Sequence, residues 1–256
     1  MSAPMKTSTE HALAKVPEVT LAFWVIKIAA TTLGETGGDA VSMSMNLGYL
    51  VGTCIFAAIF LAAVMAQIRA KAFHPFLYWA TIIATTTVGT TLADFADRSL
   101  GIGYAGGSAL LLALLLGSLF VWHRTLGSVS VGTINTPRAE AFYWVTIMFS
   151  QTLGTALGDW TADTAGFGYT GAAVIFGGLL SLVVIAYYWS QISRTILFWI
   201  AFILTRPLGA VVGDFLDKPL AKGGLNLSRY TASAALMTFM VMAIIMFRQR
   251  AARTAH

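Results

Sequence analysis

Apolar residues gather in eight stretches, near 19–38, 47–66, 74–93, 102–121, 140–158, 168–189, 195–213 and 229–247, with short polar turns between them. A helix of about 20 residues rises about 30 Å, enough to cross a hydrocarbon core. The pattern therefore predicts eight transmembrane helices. Within the odd-numbered stretches the polar residues keep a register. The motif Trp-x9-Gly-x4-Asp occurs four times, as Trp24-Gly34-Asp39, Trp79-Gly89-Asp94, Trp144-Gly154-Asp159 and Trp199-Gly209-Asp214. Each copy opens on an aromatic pair: Phe23-Trp24, Tyr78-Trp79, Tyr143-Trp144 and Phe198-Trp199.

The tryptophans are 55, 65 and 55 residues apart, so the unit is two helices, grouped as two pairs of repeats around a longer linker at about 123–140. The repeats run over about 17–71, 72–126, 137–191 and 192–248. Pro17 and Pro137 each precede a motif tryptophan by seven residues and are expected in first helical turns, where a missing N–H costs no bond. Gly48-Tyr49, Gly103-Tyr104 and Gly168-Tyr169 mark the second helix of three repeats, whereas the fourth inserts a basic loop with Lys218 and Lys222 before Arg229-Tyr230. A two-helix unit returns to the side on which it began. All four copies then insert the same way round, about an axis along the membrane normal. The expected architecture is an all-α integral membrane bundle, pseudo-fourfold or two-plus-two.

Counted from each tryptophan at 100° per residue, positions +7, +11 and +15 share about 80° of one helix face. They are Thr31, Glu35 and Asp39 in the first repeat, and Thr86, Thr90 and Asp94 in the second. The third gives Gln151, Thr155 and Asp159, and the fourth Arg206, Ala210 and Asp214. Polar groups facing lipid are costly, so these stripes should face one another. The tryptophans read as interfacial anchors, the glycines as points of close helix approach. The aspartates, about 22 Å further along, read either as helix caps or as a cation-attracting rim. Three ionisable residues break the symmetry inside the spans: Lys27, Glu35 and Arg206. Arg206 reaches Glu35 if the first and seventh helices adjoin, as a closed ring of four requires.

Composition supports the membrane reading. Of 256 residues 57% are hydrophobic and 11% charged, against about a quarter charged in a soluble domain. The net charge of +5 is unevenly placed. Lys6, Lys15, Arg69, Lys71, Arg124, Arg138, Arg194, Arg248, Arg250 and Arg253 lie at the termini or in even-numbered connections, against Arg98, Lys218, Lys222 and Arg229 in odd ones. The positive-inside rule then puts both termini in the cytoplasm, so the basic excess reports topology and not nucleic-acid binding. His11, His74, His123 and His256 lie outside or at the ends of the spans and form no ligand cluster. Cys54 reads as a small packing residue within an apolar span. Neither a nucleophile–base pair nor a nucleotide fingerprint falls on a suitable element, so no enzyme and no cofactor is expected.

The tandem Trp, Gly and Asp, with Lys27–Glu35 in the first copy, resemble a family of bacterial membrane proteins built from four copies of a repeat of unknown function. The resemblance covers about residues 17–248 and implies a bacterial inner-membrane location, but brings no activity. The stripe itself suggests a transporter with a lipid bilayer and a small solute as its partners. Its oxygen ligands suit a hard cation such as Mn²⁺, Mg²⁺, K⁺ or a proton, with coupling through Glu35. A carrier of a small anionic or zwitterionic metabolite clamped by Arg206 and a non-transporting sensor or scaffold are the alternatives.

Overall fold

The computed structural model describes residues 14–252. They form eight long helices: α1 (Leu21–Asp39), α2 (Gly48–Arg69), α3 (Pro75–Asp94), α4 (Tyr104–Leu126), α5 (Pro137–Asp159), α6 (Gly168–Trp189), α7 (Arg194–Asp217) and α8 (Arg229–Met246). Six of them (all but α1 and α5) are long and apolar enough to cross a membrane. α1 and α5 match them in length and bury Lys27, Glu35 and Asp39, and Glu140, Gln151 and Asp159, respectively.

The odd helices close a ring in the order α1, α3, α5, α7 and back to α1. The even helices lie outside it, each against the odd helix of the following repeat: α2 on α3, α4 on α5, α6 on α7 and α8 on α1. Each repeat is thus completed by its neighbour, and the head-to-tail contact closes after four steps. The outer surface is apolar, with Leu61, Leu110, Phe120, Val174, Leu182 and Ile245 all exposed on the even helices. Cys54 is also exposed there, outside the packed interior.

Small residues set the spacing of the ring. The +10 glycine of each odd helix meets the +7 side chain of the next: Gly34 meets Thr86, Gly89 meets Gln151, Gly154 meets Arg206 and Gly209 meets Thr31. One turn later Gly38 meets Thr90, Gly158 meets Ala210 and Gly213 meets Glu35. A Cβ on Gly213 would lie 2.7 Å from that of Glu35, and one on Gly89 would lie 3.0 Å from the Gln151 backbone. The pattern is small-xxx-small, which lets helix backbones approach closely where no hydrophobic force draws them together.

In the first three repeats the motif aspartate ends the α-helix and a five-residue π turn follows: Ala40–Ser44, Phe95–Ser99 and Trp160–Thr164. The chain then reverses through left-handed residues, with Gly103 at φ 80° and Gly168 at φ 65° opening α4 and α6. The fourth repeat runs straight on to Asp217 and uses the Lys218–Ser228 loop instead. Pro137 opens its helix as expected, and Pro75 opens α3 in the same way. Pro17 does not: it pairs with Ala251 in an antiparallel bridge before α1 begins, tying the two chain ends together.

Candidate functional site

The ring interior is layered along its axis. At one end lie the aromatic pairs. Phe23 packs on Trp79 at 5.4 Å, Tyr78 on Trp144 at 5.8 Å, Tyr143 on Trp199 at 6.3 Å and Phe198 on Trp24 at 5.7 Å. Each contact joins one odd helix to the next, and each such pair contributes about 0.5–1.5 kcal/mol beyond its buried area. The expected interfacial anchors are therefore interior packing: Trp79, Trp144 and Trp199 are buried and Trp24 partly so. The phenols of Tyr78 and Tyr143 close the layer with a 2.7 Å hydrogen bond.

One turn further in, position +3 holds Lys27, Ile82, Ile147 and Phe202, all buried. Lys27 lies over the Phe202 ring, with Nζ 4.1 Å from its centre. Its one hydrogen bond is long, 3.5 Å to Thr205 Oγ1. The fully buried Lys27 amine thus has a ring face and one hydroxyl for company, and no ion partner among the described residues.

Positions +7 and +11 form the polar middle. Arg206 Nη2 donates to Glu35 Oε2 at 3.0 Å, Thr90 Oγ1 at 2.6 Å and Thr155 Oγ1 at 2.5 Å. Thr90 also donates to Glu35 Oε2 at 3.2 Å. Helices α1, α3, α5 and α7 therefore converge on one guanidinium nitrogen. Arg206 Nη1 and Nε, both atoms of the Gln151 amide, and the hydroxyls of Thr86 and Ser150 are buried without a hydrogen-bond partner among the described residues. Thr31 is spent on backbone carbonyls, those of Ile28 and Thr205.

At the far end the four aspartates are buried and ion-paired. Arg98 joins Asp94 at 2.7 Å to Asp159 at 3.3 Å. Lys218 joins Asp214 at 2.9 Å to Asp39. Arg229 holds Asp217 at 2.7 Å and lies 3.7 Å from Asp39. The capping reading fails, since Asp39, Asp94 and Asp159 make no side-chain capping bond. The carboxylates turn to the inserted cations instead. Nor is this a bare anionic rim, because two cations sit among the four carboxylates. Burial pushes the Lys218 ammonium pKa down, but Asp214, Asp39 and Asp217 together outweigh that and hold it well above the ordinary lysine value. The oxygens of Glu35, Asp39 and Asp214 gather within 4.8 Å of one another, yet Lys218 and Arg206 already answer them.

Arg98 and Lys218 escaped the sequence reading, which assigned them to loops. The available signal was that each follows its motif aspartate by four residues, in the second and fourth repeats alone. Their bridges also regroup the molecule. Among the described residues, and apart from Lys15–Glu140 at the tryptophan end, every ion pair between repeats joins the second to the third or the fourth to the first. The seams between first and second, and between third and fourth, carry none. His74 and His123 lie at helix ends away from the site, while His11 and His256 lie outside the described residues.

The fold and site define an all-helical four-repeat bundle with an apolar exterior and a charged, hydrogen-bonded interior. The chain belongs to the family described as Repeat of Unknown Function (DUF347), whose model matches residues 22–73, 77–128, 142–193 and 197–253. No curated protein and no solved structure matches the chain.

Proposed function

We propose that this protein is a multi-pass membrane carrier that moves a small solute along the axis of the odd-helix ring. The observation that carries this reading is the set of unpartnered polar atoms at mid-ring, on Arg206, Gln151 and Thr86. Each polar atom left buried without a partner costs about 1–3 kcal/mol. The aromatic layer leaves single Nε1 atoms of Trp79, Trp122 and Trp144 so, whereas Arg206, Gln151, Thr86 and Ser150 gather six such atoms in the polar middle. A solute that enters the ring satisfies them.

The ion pairs suggest how the ring opens. Repeats one and four form one body and repeats two and three the other, each stitched at the aspartate end by its own cation. The tryptophan end is tied across both bodies: Lys15 pairs with Glu140 at 2.7 Å, its N–H donates to Ile134 O at 3.0 Å, and Trp199 Nε1 donates to Val129 O at 3.0 Å. The bodies therefore part at the aspartate end and pivot at the tryptophan end. Parting breaks the bonds from Arg206 to Thr90 and Thr155 but keeps Arg206 on Glu35. By the positive-inside rule the aspartate end faces away from the cytoplasm.

Against a hard-cation pathway stands the Arg206 guanidinium, buried at mid-depth on Glu35, as its place within the seventh span already suggested from the sequence. The test is flux into proteoliposomes across a panel of inorganic cations, organic anions and zwitterions. Wild-type protein should transport at least one class, and Glu35→Gln should abolish that flux while keeping a monodisperse gel-filtration profile. No flux for any class would overturn the reading.

A further inference from the structure

Charge along the ring axis changes sign. The aspartate layer holds four carboxylates and two bridging cations, Arg98 and Lys218, with Asp39 Oδ1 and Asp159 Oδ1 buried and unpartnered. The middle holds the Arg206 guanidinium paired with Glu35. Its unpartnered groups include several donors: Arg206 Nη1 and Nε, and Gln151 Nε2. Lys27 adds an amine with one long hydrogen bond, one turn nearer the aromatic layer. Spare carboxylate oxygens thus lie toward the opening end, and the middle adds spare donors beside the Gln151 carbonyl and the Thr86 and Ser150 hydroxyls. One helical turn, about 5.4 Å, separates successive layers.

A simple anion meets a surplus of carboxylate on its way in, and a simple cation meets Lys27 and Arg206 at the centre. A solute carrying both charges matches both layers. We propose that the middle of the ring binds a small amino-carboxylate zwitterion. Its carboxylate lies between Lys27 and Arg206, with the Gln151 amide as a further donor. Its ammonium points toward Glu35 and the aspartate layer. Arg206 suits the carboxylate end, since its planar fork offers paired donors while Nη2 stays on Glu35. The +10 glycines pack directly on the stems of the +7 side chains, Gly154 on Cβ and Cγ of Arg206 and Gly89 on Cβ of Gln151.

This assignment rests on the carrier reading and is tested apart from it. Binding is measured by calorimetry on purified full-length protein in detergent, without any membrane gradient. The probes are glycine, β-alanine and γ-aminobutyrate, in which the charge separation lengthens one methylene at a time, with acetate and methylammonium as single-charge controls. One of the three zwitterions should bind at least tenfold more tightly than either control, and Gln151→Leu and Lys27→Met should each lower that affinity at least tenfold. Gln151→Leu replaces an amide without a hydrogen-bond partner and Lys27→Met an amine with one long hydrogen bond, so both should keep the fold, which gel filtration and thermal melting verify. Acetate binding as tightly as the best zwitterion would reduce the site to an anion site, and no binding of any probe would overturn it. Zwitterion binding without flux in proteoliposomes would overturn the carrier and leave the site standing. Flux of another class without zwitterion binding would do the reverse.

Discussion

Arg206 of α7 and Glu35 of α1 meet at 3.0 Å inside the bundle, 171 residues apart in the chain, and both are buried. The contact exists because the ring closes α7 onto α1. Removing one partner strands the other charge, at a cost of about 3–5 kcal/mol. Glu35→Gln and Arg206→Met should therefore each lower the melting temperature in detergent, and the double replacement should recover most of the loss. Equal melting of wild type and both single variants would mean the pair carries no stability.

The ring depends on glycine at defined points. Gly154→Ala would drive a methyl into the Arg206 side chain, and Gly209→Ala one into Thr31, whereas a methyl at Gly37 meets nothing within 4 Å. The first two variants should lose the monodisperse species on gel filtration. Gly37→Ala should melt at or above the wild-type temperature, because alanine is favoured over glycine in a helix by about 1 kcal/mol.

Lys27 should be a residue that function retains at the expense of stability. Its amine has no ion partner among the described residues. Lys27→Met keeps much of the length of the side chain and removes a buried, poorly partnered amine, so the melting temperature should rise by several degrees while flux is lost. A fall in melting temperature would show that Lys27 is a structural strut.

The seam between the third and fourth repeats should have to open. A Cβ on Gly158 would lie 3.2 Å from that of Ala210 across this seam, near the separation of a disulfide. In a Cys54→Ala background, Gly158→Cys with Ala210→Cys should cross-link on oxidation. Flux should stop when the bond forms and return when it is reduced. Undiminished flux in the cross-linked protein would place the opening elsewhere.

Much of this was legible in the residues. Hydropathy marked the eight helices, and the 55-residue spacing marked the repeat. Helical periodicity put Glu35, Thr90, Thr155 and Arg206 on inward faces, and closure of four repeats implied that Glu35 and Arg206 adjoin. Periodicity does not tell an aromatic at a membrane edge from one in a plug, so the fate of Trp79 and Trp144 was not legible. A linear chain also groups the repeats by their linker, as first with second and third with fourth. The ion pairs group them the other way, because Arg98 and Lys218 reach forward to the next aspartate in the ring. That reach depends on the ring's geometry, which composition and spacing leave open.

The central claim is that water and solute reach the middle of the ring from the aspartate end. Thr86 is fully buried there and its hydroxyl is unpartnered. Thr86→Cys in the Cys54→Ala background gives a thiol that a small membrane-impermeant methanethiosulfonate can report. A carrier should show steady labelling of native protein in the membrane, when the reagent is applied on the aspartate side, and none from the tryptophan side. A thiol that stays inert from both sides until the protein is denatured would contradict the account, leaving the polar middle as a sealed structural core.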